Sequence, residues 1–245
     1  WIVAWQSILE HRAQNPDRVL LAKVLIWKQT ESVLLGNTLH HEGIRLQKKE
    51  EDVIYTFHET MMEYLAYKEE EKFVEVKRTD CLEAAQELQA ANFKVAVLCM
   101  GNFNKPGGHV KSGEDSQEED LHCRTDFSRF TEKYLLGKGY PCSSEDPIVL
   151  VQTGVTIIRG PKSAGDNFLN DTPDPITMIT VAVKKKIAKY TDKSRGNSHY
   201  KDNKDKEGLR SRIRLVLHAI QKSDCSAVVL SALGCGLEGH PPEEV

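Results

Sequence analysis

Glu118 and Glu119 are adjacent carboxylates preceded by Gln117, and seven residues separate this triplet from Gly107-Gly108-His109. Carboxyl groups so paired can move protons, provided that one of them has its pKa lifted toward the operating pH. The local pattern works against that. Ser116-Gln117-Glu118-Glu119 fits the capping box Ser-x-x-Glu, with Ser116 as N-cap and Glu119 at N3, and a helix N-terminus favours ionised carboxylates. Burial against a bound sugar, with one glutamate beside the other, is what would push one pKa back up. Without it, Glu119 is a helix cap.

Two glycine clusters could supply backbone N–H groups to a ligand. The first, Gly101 to Gly108, follows an apolar run; glycine pairs there permit positive φ and close backbone approach, which suits diphosphate or sugar oxygens. The second, Gly234-Cys235-Gly236-Leu237-Glu238-Gly239-His240, follows another apolar run and leads into Pro241-Pro242-Glu243-Glu244, a helix-start pattern that could face an anion. Neither has P-loop or GxGxxG spacing. Taken singly, each also reads as an ordinary turn.

The elements that would position these residues follow from periodicity. Apolar spacing predicts two helices between Trp1 and Leu35, broken at Asn15-Pro16-Asp17, and a third over Val53–Tyr67. From Phe73 the texture changes. Phe73–Val76 alternates as a strand, Thr79-Asp80 can cap a helix over Cys81–Ala91, and Lys94–Met100 reads as a buried strand, together a βαβ unit. Further strands are predicted at Ile148–Val151, Val155–Ile158, Ile176–Val183 and Ala227–Ser231, with an amphipathic helix from about Leu209 to Gln221. The class is therefore α/β with a largely buried sheet. Residues 1–72 are expected to form an N-terminal helical extension packed on a core domain spanning 73–245. Lys184–Lys206 carries nine Lys or Arg against three Asp, either a basic flap over an anionic ligand or a solvated loop.

Composition narrows the function classes. A chain of 245 residues with net charge −3 can bury a substantial core, and its global charge gives no reason to expect nucleic acid or an anionic membrane. Cysteines 81, 99, 123, 142, 225 and 235 are scattered, without CxxC or metal-like pairing with histidine, so a reducing, intracellular and cytoplasmic setting is expected. His40-His41, His58, His122 and His218 lack ligand spacing and read as surface or satisfied core residues. No run approaches membrane-span length. The chain begins at Trp1 and stops at Val245 in what reads as an element start, so its natural ends are expected to lie beyond both.

The two glycine loops and the glutamates together resemble the microbial-type poly(ADP-ribose) glycohydrolases, a branch of the macrodomain superfamily. Their marker is Gly-Gly-Gly followed after six to eight residues by Gln-Glu-Glu; here it is Gly107-Gly108-His109, then Gln117-Glu118-Glu119. The resemblance extends over Phe73–Arg129, Ile148–Arg159 and Asp174–Val245, the last with a GCG-x-x-G-x-(D/P)-PEEV loop. It implies a three-layer α/β/α macrodomain with a mixed sheet that binds ADP-ribose, alone or on an ADP-ribosylated protein or polymer, with no metal and no cofactor. It further implies that Glu119 is the catalytic acid and base at the distal ribose C1″ and that Glu118 positions ribose hydroxyls. Gln117 and Asn102 would hold that ribose, and Gly107 and Gly108 would give way to the substrate. Gly234, Cys235, Gly236, Leu237 and Gly239 would wrap the diphosphate.

Three positions depart from the family pattern. His109 replaces the third glycine and is expected to restrict entry of a polymer end, so that His109→Gly should favour polymer over mono-ADP-ribosylated protein. Glu238 stands where an aromatic residue is usual, and Cys99 where asparagine is. Two functions are thereby expected: a hydrolase of ADP-ribose O-glycosides, or a catalytically weak macrodomain that reads ADP-ribose on a partner.

Overall fold

The structure is a computed structural model of the 245-residue chain and describes residues 16–35, 53–56, 73–131, 140, 147–183, 187–191 and 197–245. Helix α1 spans Pro16–Leu34 and opens on a proline, whose fixed φ and missing N–H suit a first turn. It buries Ala22, Ile26, Trp27, Thr30 and Val33, a stripe at helical spacing. The helix predicted before Asn15 lies outside the described residues.

The helix expected from Val53 is not formed at its start. Val53–Thr56 is instead strand β1, antiparallel to β3 (Ile148–Val155). Its run Val-Ile-Tyr-Thr is β-branched and aromatic, which favours a pleated surface once a partner strand is present. Residues 57–72 of that expectation lie outside the described residues. Phe73–Val76 is likewise no strand: Phe73, Val74 and Val76 are exposed and the segment has no pairing partner among the described residues. The anticipated βαβ unit thus lacks its first strand. Its helix is present as α2, Cys81–Ala90, with Asp80 Oδ1 accepting the Leu82 and Glu83 N–H groups at 3.0 and 3.1 Å.

The main sheet has the order β1-β3-β4-β2-β7, with β2 at Val95–Gly101, β4 at Ile176–Ala182 and β7 at Ala227–Val229. Strand β2 runs parallel to both β4 and β7, whereas β3 is antiparallel to β1 and β4, so the sheet is mixed. Its two faces are read directly from alternation in β2. Val95, Val97 and Cys99 join a core with Leu82, Ala85 and Leu121 of the helices on one side. Ala96 and Leu98 join Leu209, Leu215 and Val216 on the other, from helix α5, Asn203–Lys222. Those layers are the α/β/α arrangement. The strand expected at Val155–Ile158 merges into β3 at Val155. The chain then turns away, with Ile157 bridging Thr125 and the Ile158 and Arg159 N–H groups bonding the Arg124 carbonyl at 2.9 and 3.0 Å.

Part of the basic stretch is ordered structure and not a loop. Lys189–Thr191 (β5) and Ser198–Tyr200 (β6) form a separate antiparallel pair, and Asn203 begins α5, capped by Asp202. Residues 184–186 and 192–196 lie outside the described residues.

Candidate active site

Because β2 and β7 are parallel neighbours, the loops that leave their carboxyl ends emerge on the same edge of the sheet. The first runs from Gly101 to helix α3, Gln117–Arg124, which the short helix α4, Ser128–Thr131, follows. Gln117 seats that helix on β2. Its Oε1 accepts the Met100 N–H at 2.9 Å and its Nε2 donates to the Leu98 carbonyl at 2.8 Å. Both ends of the amide are thus engaged on the strand, where they fix the helix in position.

Glu118 and Glu119 are 2% and 3% exposed, a burial that unpaired carboxylates rarely tolerate. Each is satisfied by the loop. Glu118 Oε2 accepts the Asn102 N–H at 2.6 Å and Oε1 accepts the Gly107 N–H at 2.8 Å. Glu119 Oε1 accepts the His109 N–H at 2.8 Å, while Oε2 takes the Ser116 N–H at 3.1 Å and the Ser116 hydroxyl as well. The capping box is therefore formed, but it is only half of what holds Glu119. Burial pushes the Glu119 pKa up, yet the His109 N–H and the Ser116 donors outweigh it and hold the carboxyl below its ordinary value. The raised pKa that a resting general acid would need is absent.

The bare backbone of the first loop makes room for protein groups. Gly108 sits at φ +51°, and a Cβ there would collide with Glu119 Oε1 and stand 3.2 Å from Glu118 Oε2. At Gly107, φ +73°, the Cβ would lie 3.1 Å from His122 Nε2. His109 contributes its peptide N–H, and its side chain turns toward Glu114, with Nδ1 3.7 Å from Oε1. Asn102 closes the start of the loop, its Oδ1 accepting the Asn104 N–H at 2.9 Å.

Several contributors escaped the sequence reading. His122 was expected to be a surface or satisfied core residue, and it is buried beneath Gly107 with Nδ1 2.9 Å from the Glu118 carbonyl and Nε2 3.1 Å from Thr131 Oγ1. A carbonyl only accepts, so Nδ1 carries the proton. Arg124 ties α3 to the N-cap of α2 through Asp80 at 2.8 Å and pairs within its own helix with Asp120 at 2.9 Å. Its i,i+4 spacing from Asp120 was readable, whereas the Asp80 contact needs the fold. Beside Glu119 a small open cleft of about 20 Å³ is lined by residues including Lys23, Asp115, Asp120, Lys162 and Asp166, most of them ion-paired. Among the described residues no group of three or more His, Cys, Asp or Glu could hold a metal ion.

The second loop is built on Gly234, φ +78°, where a Cβ would lie 2.6 Å from His240 Cδ2. The Cys235 N–H bonds the Ala232 carbonyl at 3.1 Å and the Gly239 N–H bonds the Gly236 carbonyl at 3.1 Å. Leu237 is exposed, and Glu238 Oε2 lies 3.8 Å from where a Gly236 Cβ would be. The predicted helix start is a single 3-10 turn, Pro242–Glu244.

Residues 23–135 match the family model described as the microbial-type PARG catalytic domain. Over that segment, just under half of its length, the chain is similar to the microbial-type PARG family. The PARG match takes in most of α1, β2, both glutamates and the first glycine loop, and ends before β3. Among solved structures, the poly(ADP-ribose) glycohydrolase (PARG) of Thermomonospora curvata aligns over 91% of this chain and 84% of its own, at 20% identity and a TM-score of 0.64. The same PARG bound to the inhibitor ADP-HPD aligns over 91% and 83%, at 19% identity and TM-score 0.62. A PARG of Deinococcus radiodurans in complex with ADP-ribose aligns over 67% of this chain and 64% of its own, at 21% identity and TM-score 0.50. The fold is that of these PARG structures. No curated protein matches the chain. Among the described residues, no helix is long and apolar enough to cross a membrane.

Proposed function

We propose that the chain is an ADP-ribosyl hydrolase of the glycohydrolase type, cleaving the O-glycosidic bond at the distal ribose C1″ of poly(ADP-ribose) or of a mono-ADP-ribosylated protein. The observation that carries this reading is the pair of buried carboxylates held by loop N–H groups under Gly107 and Gly108, within the segment that matches the PARG catalytic domain. The oxygens of Glu119 are not equivalent. Oε2 carries both Ser116 donors, whereas Oε1 takes one N–H and faces the bare Gly108 backbone. A carboxylate oxygen has two lone pairs, so Oε1 is the atom placed to donate a proton to the leaving ribose oxygen and to take one from the attacking water. Glu118 would orient the ribose hydroxyls, and the second loop would wrap the diphosphate with Cys235, Gly236 and Leu237.

A second reading, a macrodomain that binds ADP-ribose without turning it over, is favoured by the depressed pKa of Glu119 and by Glu238 standing in the diphosphate loop. One experiment separates them. The protein and Glu119→Gln are incubated with poly- and mono-ADP-ribosylated substrates; released ADP-ribose is read by mass spectrometry and ADP-ribose binding by calorimetry. Release that disappears in Glu119→Gln while binding persists supports the hydrolase and names its substrate. Binding without release supports the reader, and absence of both defeats either reading.

A further inference from the structure

The β5–β6 pair and the second glycine loop meet through side chains of which only Glu244 belongs to a family motif. The Tyr200 hydroxyl lies 2.7 Å from His240 Nδ1, and the two rings meet edge to face at 5.7 Å. His240 is 2% exposed and forms the floor under Gly234, whose carbonyl also accepts the His240 N–H at 3.0 Å. One residue before Tyr200, His199 Nδ1 lies 2.7 Å from Glu244 Oε1. Lys206, in the first turn of α5, bonds Glu244 Oε2 at 2.8 Å. The C-terminal flank of the loop, at His240 and Glu244, is thus tied to the strand that carries Tyr200 and to the helix after it.

We propose that Tyr200 and His240 are positioning residues, which fix the shape of Gly234–Gly239 and thereby set affinity for the diphosphate of the ligand. This rests on the hydrolase reading for the identity of the ligand, though not for the clamp. The loop's glycines lack side chains that could brace it, and its N–H groups point usefully only if their peptide planes are held. The floor ring under Gly234 supplies that brace, and Tyr200 fixes the ring's rotation by engaging Nδ1. The basic stretch acquires a function that its charge did not reveal: its strand β6 props the loop.

Tyr200→Phe keeps the ring contact and removes the hydroxyl, and Glu244→Gln loosens the second tie, to His199 and Lys206. Tyr190→Phe, on exposed β5, serves as the control. Hydrogen–deuterium exchange of the 234–239 amides is measured without ligand, and ADP-ribose affinity by calorimetry. The clamp predicts faster exchange in both variants and not in the control. It also predicts about 5- to 10-fold weaker ADP-ribose binding in Tyr200→Phe, with the loss in KM exceeding that in kcat on an ADP-ribosylated substrate. Unchanged exchange overturns the clamp, and faster exchange with unchanged affinity overturns its link to the ligand. If the parent protein does not bind ADP-ribose, the functional reading fails, and exchange alone decides the clamp.

Discussion

At Gly108 there is no space for even a methyl group, because the carboxylate of Glu119 already occupies it. Gly108→Ala therefore has to displace Glu119 Oε1 as well as strain a positive φ, and a shift of about 1 Å at a reacting atom costs on the order of 100-fold in rate. Gly239 has a similar φ of +82° but nothing within 4 Å of its Cβ position. Gly239→Ala should cost about 1 kcal/mol in thermal unfolding and much less in turnover. Comparing kcat and melting temperature for the two variants checks both. The pH profile tests Glu119 itself. Its pKa in the free protein is depressed, so the protonated form declines with rising pH throughout the neutral range. Where the chemical step limits, kcat/KM should fall about tenfold per pH unit from pH 5 to 8; a flat profile would show that Glu119 is not the proton donor. For stability the sign is the usual carboxylate one: the Glu119 contribution is present above its unfolded pKa and is lost as pH falls through the folded value. None of this was visible in Ser116–Glu119 as a sequence, where the capping box is legible but the His109 N–H, which completes the set of donors, is not.

Between elements, the joint that matters is α3 on β2, and one side chain makes it. Gln117 has a donor and an acceptor, and β2 offers it the complementary pair. Gln117→Glu replaces the donor with a second acceptor facing the Leu98 carbonyl. It should destabilise the protein by about 2–3 kcal/mol in denaturant unfolding and lower activity with it. An unchanged midpoint would mean that the helix is seated by packing alone. Elements whose stability is internal were readable from sequence. The cap at Asp80, the stripe of α1, the run of β4 and the amphipathic face of α5 all appear where periodicity placed them. Elements that depend on a distant partner were not. Val53–Thr56 is a strand because β3 lies beside it, although helical spacing of Ile54 and Phe57 suggested otherwise. Phe73–Val76 alternates like a strand and, among the described residues, has no neighbour to pair with. Val155–Ile158 has the composition of a strand, but beyond Val155 the Thr156 N–H goes to Asp126 and the Ile158 N–H to the end of α3.

Across the whole molecule, α1 is joined to the core through a buried polar chain. Thr30 Oγ1 donates to the Cys123 carbonyl at 2.7 Å and accepts from Arg159 Nε at 2.9 Å, while Arg159 NH1 donates to the Asp166 carbonyl at 2.6 Å and its guanidinium lies over Phe168. Thr30→Val preserves shape and strands both the carbonyl and the guanidinium N–H, at a cost of about 2–4 kcal/mol in unfolding free energy. A loss under 1 kcal/mol, on the scale of an exposed site, would show that α1 is held by its apolar stripe alone. Asp166 lies on the same tie. Burial and the neighbouring Asp120 raise its carboxyl to about 6. A raised acid binds more protons folded than unfolded, so it costs stability as pH rises from about 4 through 6. Asp166→Asn, which keeps the shape and suits the local φ of +50°, should gain about 1–3 kcal/mol at pH 7 and nothing at pH 4. Melting curves at the two pH values check it. Neither tie was legible beforehand, since Thr30 and Arg159 are 129 positions apart.

The parallel pairing of β2 and β7 has a mechanical consequence. The two glycine loops spring from strands that are bonded to each other at a spacing of about 4.8 Å, between layers packed on both faces. A sheet so clamped is stiff along its hydrogen bonds and cannot widen to admit a guest. Whatever compliance the cleft has is confined to Asn102–Gly113 and Leu233–Gly239, loops that flex on a frame of fixed gauge.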